Sequence, residues 1–284
     1  MTVTSEVETV QRVAESKSRP NQSWLTFKEY YVGPIVAFIL FLSMWQVIPI
    51  IFSIPPFILP KPTDVLQATI TDWAILSAAV RVTILESVIG FLLSAVIGIS
   101  SSILLASSKI IERSLYPYAI VLQSIPVVAV APIIVIWFGA GLNSIVVISF
   151  LIGFFPVISN TLMGLQSVDK QMNELFTIYR ASRWQRMWRL RIPAAIPYMM
   201  TGLKISCTLS IVGAIVGEYV AGIGGGNGGL GYAITVAAIQ VKTPFLFACG
   251  MAAAILGICF YLLVSLCAKW FLANWHESAM KQEN

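Results

Sequence analysis

Charge is what this sequence has least of. Asp, Glu, Lys and Arg together make up 11% of its 284 residues, while 57% are hydrophobic. A soluble domain carries about a quarter charged residues, so a globule built from this chain could not cover its surface. With a mean hydropathy of +0.83, the apolar excess has to face lipid.

Histidine occurs once, at His276, in a C-terminal tail where no proton or metal role is expected. An intramembrane enzyme would want a His/Asp/Glu or Ser/Lys constellation inside its spans, so no catalytic residue and no metal ligand is assigned. The four cysteines, Cys207, Cys249, Cys259 and Cys267, lie in apolar stretches and form no CxxC pair. They read as packing or lipid-facing residues. No G-x-x-x-x-G-K-[ST] occurs, so this chain is not expected to hydrolyse ATP. The string from Gly224 to Gly229 fits G-x-G-x-x-G, but it follows a membrane helix with no strand before it, and a nucleotide role is rejected.

What is present in abundance is long apolar runs. About 20 apolar residues cross a bilayer core, and six stretches qualify: 34–54, 82–106, 116–138, 144–165, 196–221 and 244–270. Each should be helical, because lipid offers no partner to unpaired backbone groups. The fold class is therefore all-α, a polytopic membrane protein with about six transmembrane helices. Residues 1–30 are polar, and the run from Pro34 lacks a small-residue cleavage site. It is read as a retained first span rather than a secretory leader.

The basic residues fix an orientation. If both termini are inside, fifteen of the eighteen Lys and Arg fall on inside segments, leaving Lys61, Arg81 and Lys242 outside. That bias satisfies the positive-inside rule. Here the net charge of +5 reports topology rather than nucleic acid, which is not an expected partner. Trp45, Trp137 and Trp270 lie toward span ends, where an aromatic belt would place them. A proline-rich segment (Pro55, Pro56, Pro60, Pro62) opens the 55–81 outside link, and 222–243 forms a glycine-rich outside loop.

The inside loop 166–195 is too charged to enter lipid and too long for a simple hairpin. It reads as two short helices joined at a turn. The first is amphipathic and precedes Arg180, and the second is capped by Ser182. Pro193 and Pro197 are expected to break the chain before the fifth span. Met187, Trp188 and Leu190 would supply apolar contact to a groove on another protein, and the arginines would supply charge. A basic loop resting on anionic headgroups is an equal reading from the residues alone.

Here the sequence resembles the permeases of binding-protein-dependent ABC importers. Their "EAA" loop is matched at Glu174, at Ala181-Ser182 and at Ile192-Pro193. It is departed from at Leu175 and Phe176, which replace alanines, and at Arg180, which replaces the glycine of the turn. Gln123-Ser124-Ile125-Pro126 through Pro132 and Trp137-Phe138-Gly139 is similar to the third span of the nitrate/sulfonate/taurine branch. So are Gly217-Glu218-Tyr219-Val220 with Gly229-Leu230-Gly231-Tyr232, and Leu59-Pro60-Lys61-Pro62, to other parts of that branch. The resemblance covers about 80–275.

The resemblance implies a type I ABC importer permease fold: a tail at 1–30, a first span with its outside loop at 31–77, a transmembrane core at 78–275 and a tail at 276–284. It implies an inner-membrane location and a second permease copy as partner, with two cytoplasmic ATPase subunits that hold ATP and Mg, and an extracytoplasmic binding protein. This chain itself would need no cofactor. Glu174, Arg180, Ala181, Ser182, Arg183, Trp184, Gln185, Arg186 and Trp188 would couple to the ATPase.

Polar groups within spans are costly and so mark candidates for the substrate path or gate: Gln123, Ser124, Asn160, Glu218 and Tyr219. Pro126 and Pro132 should kink the third span. Glu218 could instead reach headgroups or cap a helix pair, and the amides and Ser124 could serve interhelical hydrogen bonds. Glu86 reads as structural. An ion-coupled secondary transporter is the alternative, but it would favour a buried acidic pair or inverted repeats, and Glu86 and Glu218 stand far apart in the sequence. The solute expected is small and anionic or heterocyclic: nitrate, a sulfonate or taurine, bicarbonate, or a pyrimidine or riboflavin-type vitamin precursor. The stretch from Leu209 to Val216 and the Asn274-Trp275-His276 tail lean toward the last.

Overall fold

The computed structural model describes residues 22–221 and 228–280, with side-chain surroundings for 32–221 and 228–270 apart from Lys109, Ala119, Ile120 and Leu122. The 1–21 part of the N-terminal tail, the glycine string before Gly228 and the side chain of His276 lie outside the described residues. All regular structure among the described residues is helical. The chain forms two compact units, 1–64 and 65–284.

The first unit is built on helix α1 (Gln22–Ile51), which carries Pro34 and Pro49 within it. Its apolar side chains are largely exposed, as a lipid-facing helix requires; Phe38, Phe41 and Met44 are each more than 60% exposed. The proline-rich link folds back on the helix. Trp45 Nε1 donates to the Pro60 carbonyl at 3.0 Å, and the Gln46 amide exchanges hydrogen bonds with Thr63.

The second unit begins within α2 (Pro62–Thr71) and continues through α3 (Trp73–Ser107), α4 (Lys109–Ser124), α5 (Val127–Phe138) and α6 (Leu142–Gln166). There follow α7 (Lys170–Ile178), α8 (Arg183–Arg186), a π-helical turn (Met187–Arg191), α9 (Ile192–Ala221), α10 (Leu230–Ile239) and α11 (Thr243–Met280). Five helical stretches are long and apolar enough to cross a membrane, namely Val32–Ile51, Trp73–Ser107, Leu142–Gln166, Arg183–Ala221 and Thr243–Trp270.

The third span expected as one helix is instead two, α4 and α5, interrupted at Ile125 and Pro126. Pro126 restricts Ile125 to extended backbone, which ends α4. At about 1.5 Å per residue neither piece alone spans a core of roughly 30 Å, but together they do. That they cross follows from their neighbours. Ser94 Oγ donates to the Phe150 carbonyl and Ser102 Oγ to that of Ile158, both with the same sequence offset. Helices α3 and α6 therefore run parallel, and the chain between them must return across the full thickness. Accordingly α4 lies near the Leu105–Leu165 core at one end, while α5 packs through Ala131 and Ile134 on Ile148 and Val216 at the other.

Small residues let α3, α6 and α9 approach closely, the packing that serves where no hydrophobic drive separates helix from lipid. Gly90 and Gly98 of α3 face Ser149 and Val157 of α6; Gly202, Gly213 and Gly217 of α9 face Pro156, Ser149 and Ile145 of the same helix in antiparallel order. Ser149 Oγ donates to the Ser210 carbonyl across that seam at 2.7 Å.

The break expected at Pro193 and Pro197 does not occur. Both prolines are carried within a helical stretch running from Arg183 to Ala221. The π turn just before them accounts for this: the Ile192 N–H bonds to the Met187 carbonyl, five residues back. The wider turn gives the Pro193 ring room that a regular α turn would deny it.

Candidate functional site

Two places concentrate polar chemistry, one at each end of α9. The first is the basic end. Helix α7 is capped by Asp169, whose carboxylate accepts from the Gln171 N–H. Its C-terminus closes as a Schellman turn: the Arg180 N–H bonds to the Thr177 carbonyl and the Ala181 N–H to that of Phe176. Arg180 stands in the left-handed region with φ 51°. The turn that a glycine would make is thus made by an arginine.

Ser182 follows as the N-cap of α8, in a capping box with Gln185. Ser182 Oγ accepts from the Gln185 N–H at 3.2 Å, and Gln185 Oε1 accepts from the Ser182 N–H at 2.8 Å. Two orphan donors are thereby satisfied at the start of this short helix.

Glu174, Arg180, Ser182, Arg183, Trp184, Gln185 and Trp188 are all exposed on this projection, with Ala181 and Arg186 half-buried. One expectation is corrected. Met187 and Leu190 are buried, and Met187 packs inward with Leu105, Leu162 and Met199. The apolar surface presented outward comes from Trp184 and Trp188 instead, with Ile178 and Tyr179, each 78% exposed. Sequence reasoning missed this pair; Ile-Tyr immediately before a turn was the signal. Arg191 ties the projection to α3, donating from Nη1 to the Ala106 carbonyl at 2.9 Å. Beside it lies a cleft of about 680 Å³ lined by Ser107, Ser108, Arg183, Arg186 and Arg191 among others.

The second place is the far end. Glu218 of α9 is 1% exposed and Glu86 of α3 is 3% exposed. Though far apart in the sequence, the two lie together: Thr83, one turn before Glu86 on α3, bonds Glu218, and the two buried carboxyls face each other. Thr83 Oγ1 donates to Glu218 Oε1 at 2.6 Å and accepts from the Leu230 N–H at 2.8 Å; Glu218 Oε2 accepts from the Gly231 N–H. The N-terminus of α10 therefore sits on a carboxylate, where its free N–H groups and dipole favour negative charge.

The remaining path candidates do not gather here. Tyr219 is 61% exposed, and Gln123, Ser124 and Pro126 are exposed at the α4–α5 break. Asn160 is half-buried and donates to the Pro156 carbonyl one turn back.

Parallel and antiparallel crossings bound by small residues, with a capped basic projection at one end, make up a type I ABC importer permease fold. The inward-facing MetNI methionine ABC transporter has that fold. The likeness has a TM-score of 0.58 at 16% identity and covers 72% of this chain and 97% of that one. A family model described as binding-protein-dependent transport system inner membrane component matches residues 90–278, and the chain belongs to that family.

Among its relatives are a probable ABC transporter permease protein of Haemophilus influenzae, 33% identical over 81% of this chain and 93% of that protein. The formylaminopyrimidine transport permease protein ThiX of Halalkalibacterium halodurans is 35% identical over 79% and 88%. The riboflavin transport system permease protein RibX of Chloroflexus aurantiacus is 34% identical over 87% and 91%. The chain is thus the membrane-spanning permease subunit of an ATP-driven importer.

Proposed function

We propose that this permease works as a pair of identical copies on two cytoplasmic ATPase subunits, and that the projection from Glu174 to Trp188 is the element those ATPases grip. The observation that carries this reading is the capped turn at Arg180 and Ser182, which holds Ile178, Tyr179, Trp184 and Trp188 exposed beside Arg180, Arg183 and Arg186. A rigid apolar surface rimmed by charge suits a protein groove better than a headgroup layer. ATP and Mg then belong to the partner, and both termini of this chain are cytoplasmic. Nucleotide-driven closure of the ATPases would shift the projection and swing the crossing helices between inward- and outward-facing states.

The solute is a small heterocyclic vitamin precursor of the pyrimidine or flavin kind, delivered by an extracytoplasmic binding protein. Two relatives at 34–35% identity carry such names. Nitrate, sulfonates and taurine are the other solutes of this branch. The buried Glu86–Glu218 pair is taken up by α10 at one end of the helices, and so does not serve an ion-coupled cycle.

Two measurements test the reading. Pull-down of the permease should bring an ATPase, and deletion of residues 174–188 should abolish that association. Uptake should stop without ATP even when an ion gradient is imposed. Uptake that persists on the gradient alone overturns the proposal. The solute assignment is tested by the ligand found in the cognate binding protein.

A further inference from the structure

The two polar places lie at opposite ends of one object. From Arg183 to Ala221 the chain is a single 39-residue helical stretch, roughly 58 Å long at 1.5 Å per residue. Ser182 caps its near end on the basic projection. Glu218 sits within its last turn. The rod is welded to α6 along the small-residue seam, so it has little freedom to bend independently.

At the far end Glu218 is held by two other helices at once. Thr83 bonds it from α3, where the buried Glu86 lies one turn further along, and the Gly231 N–H bonds it from α10. Thr83 is a relay, accepting from the Leu230 N–H while donating to Glu218. All three side chains are at most 3% exposed.

The seating is direct. A methyl group at Gly229 would fall onto the Glu218 carboxyl, and one at Gly231 onto the Ile215 carbonyl of the rod. Helix α10 therefore rests on the α9 backbone at Gly231 and on the Glu218 carboxyl at Gly229, close enough that neither contact has room for a methyl group. Between α10 and the start of α3 lies a cavity of about 570 Å³ lined by Asp72, Ala79, Tyr232, Gln240 and Lys242 among others.

We infer that Glu218, Thr83 and Glu86 form a latch that joins α10 to the rod, so that movement at the ATPase-facing projection and movement of α10 are one event. These three are positioning residues: they act through α10. The inference rests on the proposed ATPase docking and goes beyond it, by naming the far-end receiver and the bonds that carry the displacement.

The test is hydrogen–deuterium exchange on the complete complex in nanodiscs, with and without a non-hydrolysable ATP analogue and Mg. In the wild type the analogue should change exchange both in 174–191 and in 228–239. Thr83→Ser keeps the hydroxyl and should behave alike. Thr83→Val removes the relay. Leu230 and Gly231 should then exchange about tenfold faster, and the nucleotide response should vanish from 228–239 while persisting in 174–191. Gly229→Ala, which breaks the latch from the α10 side, should do the same.

A Thr83→Val complex that retains the far-end response overturns the latch, as does a Thr83→Ser complex that loses it. A wild type that responds only in 174–191 also overturns it and leaves the docking reading standing. A wild type with no response in 174–191 overturns both.

Discussion

Gly213 of α9 rests on the backbone of Ser149 in α6: a methyl group at Gly213 would come within 2.6 Å of the Ser149 Cα. Backbone cannot rotate away as a side chain can, so Gly213→Ala must push the two helices apart. The expected cost is about 1–3 kcal/mol, read as a lower thermal unfolding midpoint in detergent. Gly250→Ala is the control, since nothing lies within 4 Å of a methyl there. It should leave the midpoint unchanged or raise it slightly, because alanine is the better helix former. Equal behaviour of the two variants would contradict the α6–α9 seam.

Arg180 holds a left-handed conformation at φ 51°, which costs a non-glycine residue about 1–2 kcal/mol. Arg180→Gly should relieve that strain and slow proteolysis of the projection under native conditions. Arg180→Val, a β-branched residue in the same conformation, should open the turn and speed cleavage. If the turn geometry is what the ATPase reads, the glycine variant should still co-purify with it and the valine variant should do so poorly.

The capping box makes a similar claim one step along the chain. Ser182→Ala removes the acceptor for the Gln185 N–H and should cost the short helix about 1 kcal/mol, whereas Ser182→Asp keeps a capping oxygen. The measurement is the fraction of ATPase retained on immobilised permease as salt is raised. The alanine variant should release it at lower salt than the wild type, and the aspartate variant should not.

The sequence was most legible where one element suffices to make a feature. Apolar runs disclosed the crossings, and Ser182 disclosed its own cap, because both are local. The turn at Arg180 was legible in place though not in residue, since a Schellman turn needs a backbone conformation that arginine can adopt at a cost. Prolines misled in both directions. At Pro126 a break between two short helices looked like a kink within one. At Pro193 and Pro197 a π turn absorbed what looked like a break. The Glu86–Glu218 pair was out of reach because it depends on helices 132 residues apart in sequence running antiparallel in register. Nothing in either glutamate's neighbours announces the other. Met187 reads as a partner contact in the sequence because its burial depends on Leu105 and Met199, residues on other helices.

The parallel register of α3 and α6 makes a topological claim that labelling can check. Ser94 with Phe150 and Ser102 with Ile158 place the starts of both helices at the same end. The segment 108–141 must then cross once, although α4 has 16 residues and α5 only 12. In a background with Cys207, Cys249, Cys259 and Cys267 replaced, single cysteines at Ser107, Asn143, Glu174 and Gln240 divide into two pairs. Ser107 and Glu174 should react with a membrane-impermeant maleimide from one face, the cytoplasmic one if the basic residues set the orientation. Asn143 and Gln240 should react from the other. Were Asn143 to label from the same face as Ser107, α4 and α5 would form a re-entrant hairpin. Helix α6 would then start at the wrong end, and the two serine–carbonyl bonds to α3 could not form.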